Sequence, residues 1–182
     1  MSSSNRTKTH KNYPPMNFRT VDKGVFAGGI PFPNNYEFLK TLNLKTVIVL
    51  SPECLDEKTA KFFTDNNIEI INCQDRINDD LNDDLRGLFP VAEEIVTEAL
   101  QVMSNKDNLP LLVMCRTGTN LTGVVVACLR KLQQWSLAAI VEEYRRFAGL
   151  SRLQKQHEQF VQIFDTDLIK ITENAPAFLT NA

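Results

Sequence analysis

The chain has 182 residues, 43% of them apolar, which is enough for one compact domain with a core of its own. Its 20 basic against 22 acidic residues leave a net charge of −2, so no global field draws it to nucleic acid or an anionic membrane, and any anion site must be local. Cys54, Cys73, Cys115 and Cys128 lack paired metal-binding spacing and His10 and His157 complete no zinc set near them, so no metal, cofactor or disulfide framework is expected. No stretch approaches the ~20 apolar residues a helix needs to cross a bilayer, and the expectation is a soluble, reducing, cytoplasmic setting.

Residues 1–13, rich in Ser, Thr, Asn and Lys, are expected as a disordered leader, residues 14–172 as the domain, and residues 173–182 as a flexible tail. Gly24 to Ala27 reads as a short strand, and Gly28 to Pro33 as a turn-rich connector into a helix from Asn35 to Leu42. Lys45 to Ser51 is a continuous β-branched run, the pattern of a central strand buried on both faces. Asp56 to Asn66 reads as helix, Ile68 to Asn72 as strand, and Pro90 to Met103 as helix with Val91, Ala92, Ile95 and Ala99 on one face. Leu111 to Met114 is a second buried strand. Beyond Gly118, Leu121, Val124, Val125, Cys128, Leu129 and Leu132 recur at helical spacing as far as about Gln133. Ser136 caps a helix over Leu137 to Ala148 that Gly149 ends, and a last helix covers about Gln154 to Ile171. Strands alternate with helices as far as Met114 and helices alone follow. That order predicts an α/β fold, with a short, mostly parallel sheet flanked by helices and an all-helical C-terminal part.

The segment Val113-Met114-Cys115-Arg116-Thr117-Gly118-Thr119-Asn120-Leu121-Thr122-Gly123 falls between a buried strand and a helix N-terminus. Backbone N–H groups and the helix dipole favour an anion at such a junction, and a cysteine held there has the setting of a thiolate nucleophile. The segment resembles the Cys-x5-Arg signature loop of the cysteine-dependent phosphatases. Pro14-Pro15-Met16-Asn17-Phe18, Lys23-Gly24-Val25-Phe26, Leu44 to Glu53, Arg130 to Leu137 and Glu143 to Phe147 extend the likeness. Over about 14–165 the chain resembles the plant and fungal atypical dual-specificity phosphatases of the oxidant-induced cell-cycle arrest group, some of which hydrolyse inositol pyrophosphates. The resemblance implies the dual-specificity phosphatase fold, a choice among α/β folds that element order alone leaves open.

Carried over position by position, the resemblance places Cys115 on the nucleophile, Gly118 on the glycine that lets backbone approach phosphate, and Thr122 on a hydroxyl supporting the thiolate. Arg116, Thr117, Thr119 and Asn120 complete the phosphate-binding loop. Two positions depart from the family pattern: Met114 stands for its histidine and Leu121 for its arginine. Thr119 and Asn120 also replace its Lys and His, leaving Arg116 as the loop's cation. Leucine cannot form the bidentate fork on a phosphoryl group, and losing such a group costs roughly 10³ to 10⁵ in rate, about 4–7 kcal/mol. The expectation is therefore a vestigial nucleophile and a pseudophosphatase, a structural or regulatory subunit associating with competent relatives of its family. The alternatives are a weakly active phosphatase on inositol pyrophosphates or phosphotyrosine through Cys115, and a non-catalytic module that binds a phosphate or inositol phosphate ligand.

Each of these residues also has an ordinary reading. Cys115 fits a buried strand end as a small apolar residue, and Leu121 begins the apolar stripe of its helix. Asp75, Asp79, Asp80, Asp83 and Asp84 lie where the wider superfamily places a general acid, yet they equally suit a solvated loop feeding a helix. The run fails as a calcium loop, because Asp83 and Phe89 fall where glycine and glutamate are needed. Trp135, Tyr144 and Phe147 are candidate interface anchors if exposed, and core residues if not.

Overall fold

The computed structural model describes residues 12–50, 55–73, 91, 93–148 and 153–180. Among these residues five strands, β1 (Arg19–Asp22), β2 (Val25–Gly29), β3 (Thr46–Val49), β4 (Glu69–Asn72) and β5 (Leu111–Cys115), form one sheet in the order β1-β2-β5-β3-β4. Only the β1–β2 pair is antiparallel; β2, β5, β3 and β4 run parallel. β5 lies at the middle, and all five of its residues are buried, as the continuous apolar run requires of a strand covered on both faces.

Alternation along the strands divides the core in two. Val25, Ala27, Ile48, Leu111, Val113 and Cys115 face the larger cluster, built on α3 (Glu93–Met103), α4 (Asn120–Leu132), α5 (Leu137–Ala148) and α6 (Gln154–Ile163). Val47, Val49, Leu112 and Met114 face the smaller one, with Leu39 of α1 (Tyr36–Lys40) and Phe62 and Phe63 of α2 (Glu57–Asp65). Every residue of α4 from Thr122 to Arg130 is buried, so its apolar surface extends around the helix and it serves as the axle on which the other helices pack. Asp56 caps α2, its carboxylate accepting from the Thr59 amide at 2.8 Å.

Several expectations shift. β1 is a strand that the residue pattern does not announce, and β2 runs on through Gly28 and Gly29, the start of the expected connector. α6 stops at Ile163, well short of Ile171, because Phe164 leaves the helical region (ψ 128) while the Lys131 ammonium collects the terminal carbonyls of Val161, Gln162 and Phe164. The stretch from residue 173, expected as a flexible tail, is tied down as far as Thr180. Asn174 bonds Asn105 and Asp107, Phe178 and Leu179 pack on the larger cluster, and a short helix, α7 (Ala177–Thr180), closes it. The leader lies outside the described residues as far as Lys11, and beyond it Asn35 anchors the carbonyls of Tyr13 and Pro14. No helix among the described residues is long and apolar enough to cross a membrane.

Candidate active site

β5 ends on Cys115, at the carboxyl edge of the parallel strands, where open α/β sheets receive their ligands. The residue is 7% exposed, and the strand end is fastened on both sides: Ile30 donates to the Cys115 carbonyl at 3.0 Å and Leu50 to that of Met114 at 2.8 Å. From there the chain turns through exposed Arg116 and Thr117 and buried Gly118 into the N-terminus of α4.

Gly118 is required twice. Its φ of +74° lies in the left-handed region, and a Cβ there would overlap backbone atoms of Gly28 and Gly29. The end of β2 is thus the floor of the loop, and a Cβ on Gly29 would sit 3.1 Å from the Thr117 carbonyl carbon. Asn17, itself at φ 53°, donates from Nδ2 to the Thr117 carbonyl at 2.8 Å, and Arg19 donates from Nη1 to the Gly118 carbonyl at 3.1 Å. The loop carbonyls are therefore turned towards the β1–β2 side and held there.

The amides are left over. Among the described residues those of Thr117, Gly118 and Thr119 find no acceptor, and Thr119, at the N-cap of α4, makes no side-chain cap because its hydroxyl pairs with that of Thr117 at 2.7 Å. Unspent donors running into a helix N-terminus directly after a cysteine make a site for an oxyanion.

Thr122, Met114, Leu121 and Asn120 border the loop, and the first matches the family pattern in residue type alone. The Thr122 hydroxyl is buried but bonds no described group, Cys115 included, so the support to a thiolate is not made as a hydrogen bond. Met114 is fully buried in the smaller apolar cluster, on the face of the sheet away from the Cys115 cluster. Leu121, half-buried, packs against the larger cluster, and Asn120 is half-buried beside it at the start of α4. The five aspartates between 75 and 84 lie outside the described residues.

The sequence reading missed Arg19. It is 8% exposed, its guanidinium lies 4.2 Å over the Phe147 ring, and Nε is buried with no partner among the described residues. Burial lowers its pKa to about 10, against the pull of Glu143 and Cys115, so it carries its charge at neutral pH. Arg116 is consequently not the only cation near the loop. The Arg19 contact also occupies Phe147, and Tyr144 is buried, bonding His157 Nδ1 at 2.6 Å, so neither is an open interface anchor. Trp135 is 44% exposed, with the Arg130 guanidinium 4.3 Å over its ring.

A central parallel sheet, a cysteine at the end of its middle strand and a glycine-hinged anion loop opening into a helix define the cysteine-dependent phosphatase class. The tyrosine phosphatase family matches residues 13–181, and the chain belongs to that family. The probable tyrosine-protein phosphatase DG1060 of Dictyostelium discoideum is 43% identical, over 91% of this chain and 95% of its own. The inositol diphosphatase DSP4 of Arabidopsis thaliana is 35% identical over 87% of this chain and 77% of its own. Among solved structures, the core catalytic domain of the PP-IP phosphatase SIW14 from S. cerevisiae in complex with citrate superposes with a TM-score of 0.74. It is 31% identical, with 86% of this chain and 90% of that one covered.

Proposed function

We propose that the chain is a slow phosphatase that binds a phosphate ester or an inositol pyrophosphate in the Cys115 loop and turns it over through the Cys115 sulfur. The observation that carries the reading is the run of unspent amides from Thr117 to Thr119 between Cys115 and α4. Those donors can receive the phosphoryl oxygens while the sulfur attacks phosphorus and the P–O bond to the leaving alcohol, phenol or phosphate breaks, its oxygen taking a proton from solvent. A water then cleaves the S–P bond of the phosphocysteine, releasing inorganic phosphate and restoring the Cys115 thiol. The names of DG1060, DSP4 and SIW14 point to phosphotyrosine or inositol pyrophosphate as substrate. Slowness follows from Leu121, because an apolar side chain supplies neither the fork nor the charge that the Cys-x5-Arg pattern provides.

The test is phosphate release from a phosphotyrosine peptide and from an inositol pyrophosphate by the wild type, Cys115→Ser and Leu121→Arg. Slow release that Cys115→Ser abolishes and Leu121→Arg raises by roughly 10³ or more fits the reading. Absence of release from all three forms, on both substrates, would overturn it.

Leu121 favours a second reading, in which the chain is a cytoplasmic non-catalytic subunit assembling with competent relatives. Its packing on the core gives the position a structural use without catalysis. Recovery of the purified chain as a monomer that enriches no family member would count against that account.

A further inference from the structure

We propose that Arg19 is the positioning cation of the anion loop, supplying from β1 the positive charge that Thr119, Asn120 and Leu121 do not. The inference rests on reading the loop as an oxyanion site, not on turnover.

Four observations converge on one side chain. Arg19 Nη1 bonds the Gly118 carbonyl at 3.1 Å, at the one residue of the loop in the left-handed region. That bond turns the Gly118 peptide so that its carbonyl points to β1, which leaves the next amide, that of Thr119, free for a ligand. The charge is nearly buried, so its field is less screened than that of a surface arginine. Finally, the guanidinium has little freedom to leave: Phe147 lies against its face, and a second bond from Nη1 reaches the Asn17 carbonyl at 3.4 Å. Nε is buried and has no partner among the described residues, a donor that a better-aligned loop or a ligand-bound state can still use.

Arg19 is not the missing arginine in another place. It reaches the loop through a carbonyl, so it sets amide direction and local potential and makes no fork on the phosphoryl group. Its expected contribution is to the affinity for an oxyanion, and it leaves most of the rate deficit in place.

The test uses inorganic phosphate and the whole chain, measured by calorimetric titration at two salt concentrations. Arg19→Met keeps an apolar stem against Phe147 and removes the charge, and Arg19→Lys keeps the charge. Phosphate affinity is expected to fall about tenfold in Arg19→Met and to stay within about threefold of wild type in Arg19→Lys, with the Arg19→Met loss smaller at high salt. Equal affinity in folded Arg19→Met and wild type overturns the proposal, as does equal loss in Arg19→Met and Arg19→Lys. Should Arg19→Met melt too low to measure, the Arg19 Nε–H resonance of the wild type is followed during phosphate titration. A saturable shift supports the proposal, and a resonance that stays fixed while phosphate binds elsewhere overturns it. Phosphate binding without turnover would remove the catalytic reading and leave this one standing.

Discussion

Replacing Gly118 with alanine should damage both the fold and the anion site, and the structure sets the size of each effect. A non-glycine residue at φ +74° costs roughly 1–2 kcal/mol. The new Cβ would also overlap Gly28 and Gly29, whose atoms at that point are backbone of β2, so relief requires moving the strand and adds about 1–3 kcal/mol. The sum, about 2–5 kcal/mol, corresponds to a fall in melting temperature of ~5–15 °C for a domain of this size. Gly24→Ala is the matched control. Its φ of +77° carries the same conformational cost, but the nearest atom to a Cβ there is Leu109 Cβ at 3.5 Å, an ordinary contact. Scanning calorimetry should therefore show a drop of only a few degrees for Gly24→Ala, and phosphate titration should show that Gly118→Ala alone loses the anion. Equal melting losses in the two variants, or unchanged phosphate affinity in Gly118→Ala, would refute the close packing of the loop on β2.

Arg130 is almost wholly buried and ties the Val21 carbonyl, Glu143, Asp22 and Gln133 together, so Arg130→Ala strands a carboxylate and should cost about 3–5 kcal/mol by chemical denaturation. The Arg145–Glu158 pair is closer at 2.7 Å, yet Arg145 is exposed, and Arg145→Ala should leave the melting temperature within error. Tyr144→Phe leaves the His157 ring without its 2.6 Å partner inside the core, a loss of about 1–3 kcal/mol. Burial lowers the His157 pKa below its ordinary 6.5, so the unfolded chain binds the extra proton first. Stability from this group is full above that value and is lost as pH falls below it; melting scans should show that component in wild type and not in His157→Gln.

The sheet was legible because its central strands carry a continuous apolar signal. Thr46 to Val49 and Leu111 to Cys115 are buried along their whole length, and a run of β-branched and aliphatic residues announces that condition without reference to partners. β1 carries no such signal. Arg19-Thr20-Val21-Asp22 alternates, but its first residue is an arginine, and only the fold gives that arginine a buried place. Gly28 and Gly29 read differently for a related reason: paired glycines usually punctuate a chain, whereas here the backbone of both lies against Gly118, and a Cβ on Gly29 would crowd Arg116 and Thr117, residues distant in sequence and adjacent in space.

The candidate site divides along the same line. Cys115, Gly118 and the start of α4 could be found in the sequence because they form one short segment whose chemistry is local. The groups that shape the loop from outside could not, since Arg19 lies 99 residues from the carbonyl it holds and Asn17 lies 100 from its own. Counting charges along the segment therefore finds Arg116 alone and concludes that the pocket has lost most of its cations. The folded chain returns one of them from β1, through a backbone carbonyl. Leu121 supplies no phosphoryl clamp, so on the proposed reading a deficit in rate and a capacity to bind an oxyanion are separable properties of this loop. An assay of turnover alone would report the first and miss the second.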